Sequence, residues 1–268
     1  MPVRREGVLD SSSSSEAVVA HGVLTVNDLS VGYESIRFSI ESKGIGGIFG
    51  VGRRICPVLS SLSFDIAFDT HLVGIVGANG AGKTTLLRAI FGNVPSQGAV
   101  TWNGQQLNGL TQHQRSRLGL AFIPHGNGIF PSLTVQEHLD LMGFGRNSGR
   151  STIEELFDRA SSRGQELATS LNFLRRNEKV GNLSGGERKL LGLVRLLARP
   201  WCLALVDEPT AGLSPKSVAI SAVLLSMVYP ACVIATEQYS RAGLVHSMGA
   251  KLYELKEGSL EIWKEARQ

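Results

Sequence analysis

The stretch Gly77 to Thr84, GANGAGKT, constrains this chain more than any other. It follows a continuous apolar run, Leu72 to Val76, and opens a segment of helical periodicity from Lys83 to Phe91. Strand, glycine-rich turn and helix in that order let backbone N–H groups curl around a phosphate chain at a helix N-terminus, where the dipole favours an anion. Lys83 can then reach the terminal phosphates and the Thr84 hydroxyl can ligate Mg2+, with Gly77, Ala78, Asn79, Gly80, Ala81, Gly82 and Thr85 completing the cradle. A nucleoside triphosphate is implied. A glycine turn with an accidental Lys-Thr would not also meet the strand and helix conditions.

A second apolar strand, in CLALVDEP at Cys202 to Pro209, ends in two adjacent carboxylates. Strand ends in an open α/β sheet are where ligands sit. Phosphoryl transfer needs charge neutralisation and an oriented nucleophile, so Asp207 is suited to hold Mg2+ and Glu208 to polarise the attacking water. In isolation a solvated Asp-Glu turn is common, and the pair gains its meaning from the phosphate loop that precedes it. The third signal is LSGGE, Leu183 to Glu187. Ser184 and Glu187 have the spacing of a capping box. A cap does not explain Gly185 and Gly186, which cost helix stability and instead bare the backbone for a second anion-binding helix start.

Composition sets the frame. At about 150 residues per domain, the chain has a length prior of roughly 1.8 domains. Apolar residues at 43% and charged residues at 19% fit a soluble globular chain, and 31 glycines without a three-residue period exclude collagen. A net charge of +4 is spread along the sequence, so nucleic acid is not demanded as a partner. Cys56, Cys202 and Cys232 form neither a disulfide framework nor a metal-ligand pattern, which fits a reducing compartment. No signal-peptide pattern follows Met1. Ser217 to Thr236 is 20 residues without a charge, long enough for a membrane-span filter. Pro230, Ser221 and Ser226 interrupt it, and Ala231 to Thr236 has the length of a buried parallel strand.

Along the chain, residues 1–22, with Ser11 to Ser15 in a row, are expected to form a flexible tail, and 23–268 a single nucleotide-binding domain. Val23 to Val31 alternates as a half-buried strand. The glycine-rich segment Glu34 to Pro57 is a hairpin or an insertion, and Val58 to Phe68 resumes alternation. Further strands are expected at Leu118 to Ile123, Cys202 to Val206 and Ala231 to Thr236, with helices at Glu187 to Ala198 and Ser217 to Val228. An α-rich segment runs from Val135 to about Arg176, broken by polar residues at Arg146 to Ser151. Alternation of this kind predicts an α/β fold with a mainly parallel sheet between helices, plus an antiparallel β layer.

GANGAGKT, LSGGE and LALVDEP, in this order and spacing, resemble the ATP-binding subunits of ABC transporters, and LSGGE is close to diagnostic among P-loop NTPases. The resemblance implies a P-loop NTPase core with an antiparallel β lobe and an α-helical lobe, about 125–190, carrying the signature motif. It implies ATP and Mg2+ as cofactors, and two chains paired head to tail. ATP on Lys83 and Thr84 of one chain would be closed by Ser184, Gly185 and Gly186 of the other. Tyr33 matches the aromatic that stacks on adenine in the family. Membrane-spanning permeases are implied as partners, with a solute-binding protein acting indirectly, and so is a peripheral place on the cytoplasmic face of the membrane.

Three positions depart from the family pattern. His125 stands where a Mg2+-sensing glutamine is usual, Gln238 where a histidine contacts the γ-phosphate, and Ser214 where an aspartate is common. Glutamine donates a hydrogen bond but cannot become cationic. The segment 129–137, GLSP and the Glu237-Gln238 pair resemble importers of branched-chain amino acids and related small amides. One reading is an ATPase that drives such an importer, docked through Gly126 to Leu133. The other is a subunit whose site, altered at His125 and Gln238, is mainly regulatory within a heterodimer. A soluble relative acting on ribosomes or DNA usually carries two cassettes or a long coiled coil.

Overall fold

The three fully apolar runs lie side by side at the centre of one sheet, which is why they lack the alternation of a half-buried strand. The structure is a computed structural model and describes residues 22–41, 48–126, 128–144, 152–228 and 231–263. The serine-rich stretch, the polar break Arg146 to Ser151 and Pro230 lie outside the described residues.

In chain order the elements are β1 (Val23–Glu41), β2 (Ile48–Ala67), β3 (Leu72–Val76), α1 (Lys83–Phe91), β4 (Gln97–Trp102), β5 (Gln105–Gln106), α2 (Gln112–Arg117) and β6 (Leu120–Ile123). There follow α3 (Val135–Met142), α4 (Ile153–Arg163), α5 (Gln165–Ser170), α6 (Gly185–Val194), β7 (Leu203–Asp207), α7 (Pro215–Ser226), β8 (Cys232–Glu237), α8 (Ala242–Ser247), β9 (Lys251–Lys256) and β10 (Ser259–Ile262). One sheet has the order β10-β9-β3-β8-β7-β6 and is parallel except for the β9–β10 pair; the other, antiparallel, has the order β2-β1-β4-β5.

Each central strand divides its side chains between two cores. Val73, Ile75, Leu120, Phe122, Leu203, Leu205 and Ile234 face α1 and the antiparallel sheet. Leu72, Val76, Ala121, Ile123, Ala204, Val206, Val233 and Ala235 face the helices of the other layer, where Leu190, Leu191 and Leu224 lie. The uncharged stretch from Ser217 is thus most of α7, a helix with one buried face, followed by the buried strand β8. Among the described residues no helix is long and apolar enough to cross a membrane.

Within the segment from Glu34 to Pro57, the described residues up to Glu41 and from Ile48 belong to two antiparallel strands. β1 and β2 pair from Val23↔Ala67 out to Glu41↔Ile48, with register shifts between Val26 and Gly32. Asp28 and Ser61, at φ 53° and 50°, take left-handed conformations near these shifts. The irregularity breaks the alternation there and makes one strand read as a strand followed by an insertion. At the far end of α1, Arg115 is buried. Its guanidinium donates to Ala89 O at 3.0 Å, Ile90 O at 2.6 Å and Leu110 O at 3.2 Å. It satisfies carbonyls at the C-terminal end of α1 with a cation, which the helix dipole favours.

Candidate functional site

The phosphate loop joins β3 to α1 at the C-terminal edge of the parallel sheet. Gly80 and Gly82 sit at φ 82° and 96°, left-handed values that favour glycine. A Cβ on Gly82 would come within 2.7 Å of Leu59, and one on Gly77 within 2.7 Å of Leu255 O, whereas beside Gly80 the space is open. Thus the loop is tight on its protein side and open on the other. α1 begins at Gly82 with no side-chain cap, so its first N–H groups are available to an anion. Lys83 is buried, and its ammonium donates to Gly77 O at 2.8 Å and Ala78 O at 2.9 Å. Burial pulls its pKa down, opposed by the nearby Glu208, Asp207 and Glu237 carboxylates.

Asp207 ends β7 and is 1% exposed. Its carboxylate accepts from the Thr84 hydroxyl at 2.9 and 3.0 Å and from the Thr236 hydroxyl at 2.8 Å. Hydroxyl and carboxylate oxygens are the hard donors Mg2+ takes, one or two from protein and the rest from phosphate and water. Thr84 and Asp207 therefore fit that ion. Glu208 follows at φ 47°. Its N–H donates to Thr236 O at 3.1 Å and Thr236 Oγ1 at 3.2 Å, and its carboxylate lies 3.2 Å from His125 Nδ1. The structure therefore unites Thr84, Asp207, Glu208 and His125.

Other expected site residues lie around this centre or apart from it. Tyr33 is partly exposed on β1, its hydroxyl 3.4 Å from Thr85 Oγ1, beside the phosphate-loop helix. Gln238 immediately follows β8 and accepts from Arg241 N–H at 2.9 Å through its carbonyl. Ser184 and Gly185 are exposed at the start of α6. Ser184 and Glu187 form the expected capping box: Ser184 Oγ accepts from Glu187 N–H at 3.2 Å, and Glu187 accepts from Ser184 N–H at 2.9 Å. Ser214 caps α7, accepting from Ser217 N–H at 3.3 Å.

Sequence reasoning missed the clamp beneath this site. Glu237 is fully buried and accepts from Thr210 N–H at 2.8 Å and Thr210 Oγ1 at 2.7 Å. Arg241 donates to the Thr210 carbonyl and, at 3.1 Å, to its hydroxyl; Lys189 of α6 donates to Ala211 O at 2.8 Å. The loop after Glu208 is thereby tied to β8 and to the signature helix at once. Burial raises the Glu237 pKa against the bonds from Thr210 and the attraction of Arg241 and Lys189. The adjacent Thr236 and Glu237 in TEQ were the available signal, since polar residues at the end of a buried strand need partners. His138 was missed too. It is buried in α3 and its Nε2 accepts from Phe130 N–H at 3.1 Å, fixing the segment expected to dock.

A family model described as ABC transporter matches residues 59–211. The chain is 37% identical over 161 residues to the "Probable branched-chain amino acid transport ATP-binding protein LivF" of Archaeoglobus fulgidus, covering 59% of this chain and 65% of that protein. It is 34% identical over 151 residues to the "High-affinity branched-chain amino acid transport ATP-binding protein BraG" of Pseudomonas aeruginosa, covering 54% and 60%. To the "Lipoprotein-releasing system ATP-binding protein LolD" of Bordetella pertussis it is 33% identical over 182 residues, covering 65% and 74%. The chain thus spans just under two thirds of the length of LivF and BraG. A solved structure titled "Structure of ATP binding subunit of ABC transporter" superposes with a TM-score of 0.61 at 22% identity, covering 89% of this chain and 88% of that one, a likeness of fold. With more than half of its residues matched by the family model, the chain belongs to the ABC transporter family.

Proposed function

We propose that this chain is the ATP-binding and ATP-hydrolysing subunit of an ABC importer for branched-chain amino acids or related small amides. The observation that carries the ATPase part is the junction of Thr84 with Asp207, at 2.9 and 3.0 Å, beside Glu208. It puts a hydroxyl and a carboxylate for Mg2+ next to a carboxylate that can orient water, one residue past the lysine of the phosphate loop. ATP phosphates lie along Gly77 to Thr85, in reach of the α1 N-terminus, and Tyr33 lies near the base. Mg2+, when bound, neutralises the charge that develops on the transferred phosphoryl group. Glu208 accepts a hydrogen bond from the attacking water, and Lys83, once released from the Gly77 and Ala78 carbonyls, turns to the terminal phosphates.

The cargo assignment rests on the relatives named for branched-chain amino acid transport and on the Glu237-Gln238 pair. Ser184, Gly185 and Gly186 stand exposed or part-exposed, available to the ATP of a second ATP-binding subunit. The permease partner docks at the segment up to Leu133, where Phe130 is exposed, together with exposed Leu141 on α3. With that docking, the chain sits on the cytoplasmic face of the membrane. A site with reduced, regulatory turnover is favoured by one observation, Gln238 in the loop after β8, and opposed by the intact Glu208.

Glu208→Gln tests the reading directly. The variant is expected to bind ATP and to accumulate as an ATP-bound dimer, with hydrolysis lowered at least about 100-fold, the weight of a lost general base. Unchanged hydrolysis would remove Glu208 from its assigned role.

A further inference from the structure

Register brings His125 to Glu208. β6 and β7 are parallel neighbours paired Ile123↔Val206, so residues 125 and 208, two beyond each, leave the same edge of the sheet together. Strands at about 4.8 Å spacing put such side chains in reach of one another. His125 Nδ1 is 3.2 Å from Glu208 Oε2, with side-chain exposures of 60% and 17%. On its other flank, Glu208 is held through its main chain, whose N–H is bonded to Thr236 of β8. One strand neighbour thus grips the backbone and the other the carboxylate.

That arrangement answers a specific difficulty. Glu208 carries a positive φ of 47°, which a non-glycine residue adopts only when its surroundings impose it. The Lys83 ammonium and Lys189 of α6 both attract its carboxylate, two cations able to draw it away from a water. We infer that His125 is the positioning residue of Glu208, its Nδ1–H holding the carboxylate toward the attacking water. The imidazole of the site is thereby supplied from the loop after β6, whereas the loop after β8 offers only the amide of Gln238. This inference rests on the ATPase reading above. His125 touches neither nucleotide nor metal in this role, so its substitution acts through Glu208.

The test is MgATP hydrolysis by the full-length chain over a range of protein concentrations, for wild type, Lys83→Ala, His125→Ala and His125→Asn. His125→Ala is expected to lower kcat about 10- to 100-fold, the weight of one hydrogen bond to a charged group. It leaves the KM for ATP within about twofold, because ground-state binding does not use this contact. The thermal midpoint stays put, since the side chain is mostly exposed. His125→Asn, which keeps an N–H donor near the place of Nδ1, recovers most of kcat. An unchanged kcat in His125→Ala, an equal loss in His125→Asn, or a loss accompanied by a fallen thermal midpoint would each overturn the inference. Wild-type turnover no faster than that of Lys83→Ala would overturn the ATPase reading itself, and this inference with it. The two failures are therefore distinguishable.

Discussion

Two helices of this molecule begin with glycines, and they begin differently. α1 starts at Gly82 in a left-handed conformation with no side chain bonded to its first N–H groups. α6 starts at Ser184 in extended backbone, with a full capping box made by Ser184 and Glu187. A bare N-terminus in a tight loop leaves its donors unsatisfied until an anion arrives. A capped one is stable by itself and still offers the exposed faces of Ser184 and Gly185. The difference separates the two helix starts by their needs. α1 leaves its first donors open to an anion, whereas α6 is complete beforehand, as the proposed contact with a neighbour's nucleotide requires.

The comparison breaks most visibly at Lys83. Lys83→Ala removes the cation that folds onto the Gly77 and Ala78 carbonyls, and nucleotide affinity is expected to fall at least about 100-fold by equilibrium titration with a fluorescent ATP analogue, the scale of a lost charge-assisted contact. Retained affinity would mean that the loop alone suffices.

Ser184→Arg comes next. It fills the exposed start of α6 without touching α1, so ATP binding per chain is expected to stay near wild type while hydrolysis falls about tenfold or more, a barrier increase of about 1.4 kcal/mol. Equal hydrolysis would detach α6 from any nucleotide. Ser184→Ala removes the cap alone and should cost about 1 kcal/mol, read as a drop of about 2–4 °C in the thermal midpoint.

The smallest effect is in pH. Glu187 is raised by burial but lowered more by the Ser184 bonds and the Arg176 guanidinium, 2.8 Å away, and its pKa lies below the ordinary carboxylate value. A depressed carboxylate stabilises the fold above its unfolded pKa and loses that contribution as pH falls through the folded value. Glu187→Gln should therefore flatten the acid limb of the stability curve measured by thermal unfolding. An unchanged limb would show that the capping box does not titrate.

Both helix starts were legible in the sequence because each is a local pattern. Spacing alone identifies GANGAGKT and LSGGE. The expected helix at Glu187 begins two residues earlier, at Gly185, since the glycines form the first turn instead of preceding it. What was illegible is non-local. Thr236 meets Asp207, Thr210 meets Glu237 and His125 meets Glu208 because β6, β7 and β8 are adjacent in the sheet. Strand order is not written in any one segment. The strands β4 and β9 escaped as well: Thr101 and Gln97 dilute the first, and Lys251, Glu254 and Lys256 the second, so neither shows an uninterrupted apolar run. β1 was read short for the opposite reason, a bulge that scrambles alternation in a strand that continues.

Arg115 gives α1 a fixed far end. The helix that greets phosphate at Lys83 has its last carbonyls held by a buried guanidinium that is itself tied to Leu110. Such a rod cannot slide along its axis without dragging a cation out of its socket. On the proposed ATPase reading, any adjustment to loss of the terminal phosphate is expected on the near side, in the six residues from Gly77 to Gly82, where Gly80 and Gly82 take left-handed conformations. α1 is then the anvil of the site and its loop the spring.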